Sequence, residues 1–374
     1  MLRLNQFFFS IVTLKNKRLP QATKLGNISC CRKQSRRSTL SFILLAILFS
    51  TTFLFANKQQ FAELGDFQLL NGQTIKNCRI GFRTYGRLNA QKSNAILFPT
   101  WFGGQSKHLG AYVGPGKLID STKYFIIAVD ALGNGISSSP SNSRLQPGNR
   151  FPRFTIADMV RSQHALLTQH LHINHLFAII GGSMGGMQTF EWMVRYPNFM
   201  DKAIPYVGTP KFSGYDILEW RQALNMIEIG RRYHVHPDSI RGMLNAFTTL
   251  LVRTPQWIAN HYYPQKMDSV FAGFFKEEPK IFTNDNFASQ VRAMLSHDIS
   301  KNFDGSLKAA AEHVKAKVLI IQVSTDHMVN PLNALRFADY LHAKTLVLKS
   351  DCGHLGIGCN LQKVSEAIAQ FLAE

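Results

Sequence analysis

A chain of 374 residues is long enough for one large domain carrying an insertion, or for two domains. Its net charge of +19 suggests a polyanionic partner, but the excess is local: residues 1–58 hold ten Lys or Arg and no Asp or Glu, while the remaining 316 carry 32 basic against 23 acidic side chains. That body has no Lys/Arg run and no nucleic-acid-binding motif, so nucleic acid is not expected as a partner.

The first stretch reads as an address. Arg32, Lys33, Arg36 and Arg37 precede an apolar run from Leu40 to Phe55, the order of charged and apolar regions in a secretory signal. We expect residues 1–56 to be a targeting segment, with Ala56 as a cleavage-site residue and a periplasmic or secreted protein as the product. The competing reading is an uncleaved anchor that holds the protein at a membrane, because Ser38–Ala56 spans 19 residues, close to a spanning length. A transit peptide is a third reading, and a wrongly assigned start would leave the protein cytoplasmic.

After this segment, Phe67-Gln68-Leu69 and Thr74–Tyr85 predict an antiparallel strand pair joined at Asn71-Gly72. Asn94–Phe98 is a short apolar strand that opens into Pro99-Thr100-Trp101-Phe102-Gly103-Gly104, and Tyr124–Val129 is another, ending at Asp130. A helix starts at Thr155 or Asp158 and runs to about His170. Leu176–Ile180 is again apolar, Lys202–Val207 follows, and strand signals then vanish from about Gly208 to Gly305 in favour of aromatic-rich helical stretches. The strand pattern resumes at Lys317–Val323 and Lys344–Leu348, with helices at Pro331–Leu341 and Val364–Leu372. Apolar strands without polar alternation, separated by helices, predict a mostly parallel sheet covered on both faces. The expected body is therefore one α/β domain over 57–374 with a helical cap inserted at about 208–305.

The chemistry is carried by Gly181-Gly182-Ser183-Met184-Gly185-Gly186, which follows the Leu176–Ile180 strand and leads into a helix. Strand, tight glycine turn and helix are the setting of a nucleophile elbow in an α/β-hydrolase fold. Such a turn exposes Ser183 Oγ and aims the Met184 N–H at a developing oxyanion. Serine needs a base, and the base needs a carboxylate to hold its tautomer. Asp326 lies three residues past one late strand, and His354 follows the next, both at carboxyl ends where such sheets keep their sites. His327 precedes the last strand and Asp351 stands only three residues from His354, so both are weaker candidates. The second oxyanion donor is expected from the loop after Phe98, as the N–H of Trp101 or Phe102. His164, His170, His172 and His175 match no metal-ligand spacing and read as solvated helix-end residues, so no metal is expected. Cys30 and Cys31 fall in the targeting segment. Of Cys78, Cys352 and Cys359, the last two bracket a glycine-rich loop, leaving a disulfide and two unpaired thiols both open.

Beyond the elbow, Thr84-Tyr85-Gly86-Arg87-Leu88-Asn89, Phe151-Pro152-Arg153-Phe154-Thr155-Ile156-Ala157-Asp158-Met159-Val160, and Gly182-Ser183-Met184-Gly185-Gly186-Met187-Gln188 with Glu191-Trp192 resemble the homoserine O-acetyltransferases of the α/β-hydrolase superfamily. The resemblance covers most of the chain after residue 75. It implies a ping-pong transfer in which Ser183 is acylated by acetyl-CoA as co-substrate, with no bound cofactor, and it implies that Arg221 holds the acceptor's carboxylate. The family's Asp after the catalytic histidine is here Leu355, and its His-Ala-Leu-Thr-Gly loop is here Thr100-Trp101-Phe102-Gly103-Gly104. Loss of that carboxylate removes a charge-assisted contact worth roughly 1.5–3 kcal/mol. The expectation is therefore an exported ester or acyl hydrolase, with true O-acetyl transfer to homoserine or a similar hydroxyl acceptor as the alternative. The partners expected are a small-molecule ester or acyl acceptor, a membrane through the N-terminal segment, and a second copy of the chain in a homodimer.

Overall fold

The computed structural model describes residues 58–275 and 279–374; the expected targeting segment, with Cys30 and Cys31, lies outside them. Eight strands form one sheet: β1 (Gln60–Gln68), β2 (Thr74–Tyr85), β3 (Ala95–Pro99), β4 (Phe125–Val129), β5 (Leu176–Gly182), β6 (Met200–Tyr206), β7 (Lys317–Val323) and β8 (Lys344–Leu348). Their spatial order is β1-β2-β4-β3-β5-β6-β7-β8. β1, β2 and β4 pair antiparallel, and every pairing from β4 onward is parallel. This is the α/β-hydrolase architecture. The apolar runs at β3 and β5 are buried along almost their whole length, as strands covered on both faces must be.

β1 starts at Gln60, well before the apolar signal at Phe67. It is an edge strand that alternates between buried and solvent-facing residues, and its register slips around Gly65. Polar residues such as Glu63 and Asp66 suit that wet edge and hide it from a search for apolar runs.

Helix α1 (Ile156–Ala165) is started by a reciprocal cap, in which Thr155 accepts from the Asp158 N–H and Asp158 accepts from the Thr155 N–H. The chain then makes a π-helical turn, Leu166–His170. His164 is not a solvated end residue: its ring stacks on Tyr196 at 4.1 Å. His175 pairs with Asp201 at the surface. Helix α2 (Met184–Arg195) follows β5 and packs on β5 and β6.

Between β6 and β7 the main helices are α3 (Gly214–Arg232), α4 (Pro237–Val252) and α5 (Asn284–Leu295), with short turns at Pro255–His261 and Met267–Ala272. After β7 come α6 (Leu332–Leu341) and the closing helix α7 (Leu361–Ala373). Helix α7 buries Val364, Ile368, Phe371 and Leu372 in the body. Among the described residues, no helix is long and apolar enough to cross a membrane.

Candidate active site

The elbow is built by close backbone approach. Ser183 has φ 57° and ψ −123°, a region that costs a non-glycine residue of order 1–3 kcal/mol and persists only when its surroundings enforce it. The enforcement comes from the glycines on either side. A Cβ on Gly182 would stand 2.0 Å from the Tyr206 ring on β6, and one on Gly185 would stand 2.6 Å from the Pro99 carbonyl at the end of β3. Side chains at those positions would push α2 off the sheet and carry Ser183 with it.

Ser183, Asp326 and His354, which lie far apart in the chain, come together here. Ser183 Oγ is 2.9 Å from His354 Nε2, and His354 Nδ1 is 2.7 Å from Asp326 Oδ2. All three are nearly buried, Ser183 at 9 % exposure, Asp326 at 4 % and His354 at 3 %. The carboxylate accepts the Nδ1 proton, which leaves Nε2 free to accept from the serine hydroxyl. Asp326 Oδ1 is held by the N–H groups of Met328 and Val329 at 2.9 and 3.0 Å, so the acid cannot rotate without losing two backbone donors. Neither His327 nor Asp351 enters this array.

The Met184 N–H opens α2, where no intrahelical acceptor exists for it. Across from it, the loop after β3 is held by side chains. Gln188 Nε2 donates to the carbonyls of Thr100 and Met184, both at 3.0 Å, and its Oε1 accepts from Gln163. Gln290 on α5 accepts from the Gly103 N–H at 2.9 Å and donates to the Leu132 carbonyl at 3.0 Å. The Trp101 carbonyl accepts from the Gly104 N–H. Peptide planarity then aims the Phe102 N–H the opposite way, and it has no acceptor among the described residues. Buried Asp130 braces the same loop by accepting from the Ser106 N–H and hydroxyl, and from Asn134 and Gln59. Burial pushes the Asp130 carboxyl upward against the pull of those bonds.

The cap reaches both sides of the array. On α3, the Trp220 ring packs edge-on to Phe102 at 5.3 Å while its Nε1–H donates to the Met328 carbonyl at 3.1 Å. Asp216 accepts from the Asn330 N–H at 2.7 Å. Phe282 and Phe287 complete an aromatic surround of Phe102. Glu219, also on α3, is pushed up to about 7 by burial and by the negative Asp216 and Asp326, with a bond from the Tyr215 hydroxyl pulling it down. Arg221 is exposed on α3 and has no hydrogen-bond or ion-pair partner among the described residues.

The glycine-rich loop carries a Cys352–Cys359 disulfide, resolving the alternatives left open by the sequence, and Cys78 is a buried free thiol. Among the described residues, no group of three His, Cys, Asp or Glu is arranged to hold a metal ion. Cavities of about 90 and 170 Å³ open elsewhere, one against Arg231 and Arg292 and one against Glu191 and His297, and Ser183 lines neither.

Of these groups, Gln188 stands inside one of the stretches that carry the family resemblance, yet nothing in the sequence ties it to Thr100. Gln290 and Trp220 carry no local signal at all, because their roles exist only once the cap folds over the sheet.

Comparison with known proteins follows the same lines. Residues 96–358 match the family model described as the alpha/beta hydrolase fold. A probable esterase of Corynebacterium glutamicum is 33 % identical over 315 residues, covering 79 % of this chain and 89 % of that protein. A homoserine O-acetyltransferase of Methanococcoides burtonii is 30 % identical over 357 residues, 82 % of this chain and 72 % of that protein. Among solved structures, that of the acetyl esterase MekB superposes with a TM-score of 0.78 at 29 % identity, covering 85 % of this chain and 98 % of that one.

Proposed function

The chain belongs to the α/β-hydrolase family, whose members similar to it include esterases and homoserine O-acetyltransferases, and from that premise we propose that it is a serine-nucleophile hydrolase of short-chain esters. The observation that carries the reading is the continuous Ser183–His354–Asp326 hydrogen-bond line, at 2.9 and 2.7 Å, beside a helix N-terminus.

In this reading His354 Nε2 takes the Ser183 proton as Oγ attacks the ester carbonyl. Asp326 holds the imidazole and balances the positive charge it acquires. The oxyanion is met by the N–H of Met184 and by a second N–H from the loop after β3, for which the unengaged Phe102 N–H is favoured over that of Trp101. Each preorganised donor of this kind is worth roughly 3–4 kcal/mol in the transition state. His354 then returns the proton to the leaving alcohol, and water, activated by the same nitrogen, releases the acid. The reaction uses only the chain's own groups and water.

Hydrolysis is favoured over transfer because residue 355 is leucine, so an acceptor's ammonium would lack the charge partner that the family resemblance implies. A short acyl group is favoured by the crowding of Phe102, Trp220, Phe282 and Phe287 beside the candidate oxyanion loop. The acetyl esterase among the similar structures agrees with this. The basic and apolar leader supports action outside the cytoplasm, where acyl-CoA donors are scarce.

The test is turnover of p-nitrophenyl esters from acetate to octanoate, with and without homoserine, beside acetyl-CoA as an alternative donor. Fast acetate hydrolysis, indifferent to homoserine and falling with chain length, is expected. Formation of O-acetylhomoserine from acetyl-CoA at a rate matching or exceeding hydrolysis would sink the hydrolase reading and favour transfer, with Arg221 as the acceptor-carboxylate residue.

A further inference from the structure

The three members of the hydrogen-bond line are not held alike. Ser183 is fixed by backbone packing on two strands, and Asp326 Oδ1 by two backbone donors. His354 sits in a three-residue turn, Gly353–Leu355, that runs into one helical turn, Gly356–Cys359, in a stretch that contains Gly353, Gly356 and Gly358. Glycine leaves a chain more conformational freedom than any other residue, and Gly353 uses it, with φ +59°. Its backbone lies against the cap, where an added Cβ would stand 3.1 Å from the Thr254 nitrogen and the Val252 carbonyl. On the upstream side, the Thr254 hydroxyl donates to the Asp351 carbonyl at 2.6 Å. On the downstream side, the strongest tie is Cys352–Cys359, which closes the stretch into a ring with a Cα–Cα span of 6.6 Å. Cys359 lies two residues before α7, whose apolar face is anchored in the body. The cross-link therefore fastens the segment bearing His354 to a rigid helix.

We propose that the Cys352–Cys359 disulfide is a positioning element for His354, so that turnover by the Ser183 array depends on the redox state of this pair. The inference rests on the hydrolase reading above. Cys359 is exposed while Cys352 is buried, so a dithiol reductant attacks at Cys359. Its thiolate bonds to the Cys359 sulfur, the S–S bond breaks, and Cys352 leaves as a thiolate that takes a proton. The second thiol of the reductant then displaces Cys359 as the other free thiol and closes the reductant's own disulfide, a transfer of two electrons and two protons in all. With the ring open, the glycine-rich stretch samples conformations in which Nε2 is out of reach of Ser183 Oγ. Misplacement of about 1 Å costs up to roughly a hundredfold in rate.

The experiment uses the full chain carrying Cys30→Ser, Cys31→Ser and Cys78→Ala, so that only this pair responds to thiol reagents. Turnover of p-nitrophenyl acetate is measured oxidised, after reduction with dithiothreitol, and after reoxidation with oxidised glutathione; free thiols are counted and tryptophan fluorescence is read on each sample. The expected result is a kcat at least about tenfold lower on reduction, a KM changed less than twofold, native fluorescence, and recovery on reoxidation. Cys352→Ala/Cys359→Ala should hold the low kcat in either buffer. An unchanged kcat with two thiols exposed overturns the inference and leaves the hydrolase reading intact. So does a loss that tracks an unfolded fraction, or a change confined to KM. If the oxidised protein has no activity that Ser183→Ala removes, the hydrolase reading falls first and this inference with it.

Discussion

The elbow at Ser183 and the loop at His354 meet at 2.9 Å, yet they reach that point by opposite means. The elbow is a place where side chains are forbidden: Gly182 and Gly185 let β3, β5, β6 and α2 converge, and the strained serine has nowhere else to go. The His354 loop is a place where restraint has been added, by a cross-link, a threonine bond to Asp351 and contact with the cap. In the proposed reading, a nucleophile set by packing should fail abruptly when volume is added. A base set by tethers should fail gradually as tethers are cut.

The sharpest break comes from removing the proposed nucleophile: Ser183→Ala should lower kcat for p-nitrophenyl acetate by about 10⁶-fold, with an unchanged circular dichroism spectrum. Asp326→Asn should cost about 10⁴-fold, because an amide supports the wrong imidazole tautomer; KM should move little. Gly185→Ala tests the packing half of the comparison. With the Pro99 carbonyl 2.6 Å from the new methyl, stability measured by urea unfolding should fall by roughly 1–3 kcal/mol, and activity should fall with it. A fully stable, active variant would show that the elbow is not set by volume.

A milder loss is expected on the cap side. Gln290→Ala strands the Gly103 N–H and the Leu132 carbonyl, and kcat should drop by about tenfold while the acyl-chain preference of the enzyme broadens. The smallest effect concerns Glu219. Its folded value near 7 lies above the 4.5 of a free carboxyl, so its stability contribution is full below pH 4.5 and is lost as pH rises through 7. Glu219→Gln should flatten that part of the Tm–pH curve. Because solvent reaches part of this side chain, the amplitude should be about 1–2 kcal/mol at most.

The same contrast explains what could be read in advance. The elbow, its flanking strand and helix, Asp326 and His354 are local patterns at strand ends, and local patterns survive in a linear text. β7 and β8 have the predicted limits. The start of β1 was hidden because a wet edge strand needs no apolar run. Gln188, Gln290 and Trp220 were illegible for another reason: each acts across a separation of tens to hundreds of residues, on backbone groups that any sequence possesses. The state of Cys352 and Cys359 was likewise open until the loop between them was seen folded back on itself.

Trp220 has a consequence for how such proteins diverge. Its indole touches the loop after β3 with one edge and fastens the acid loop with its N–H, while Asp216, one helical turn earlier, secures Asn330. An insertion wired in this way is not an exchangeable module. A cap grafted from a relative brings a new substrate vestibule, but it also resets the seat of the carboxylate beneath, unless the recipient's Asp216 and Trp220 are kept. Substitutions at Asp216 or Trp220 are therefore expected to disturb the loop that carries Asp326 as well as the cap itself.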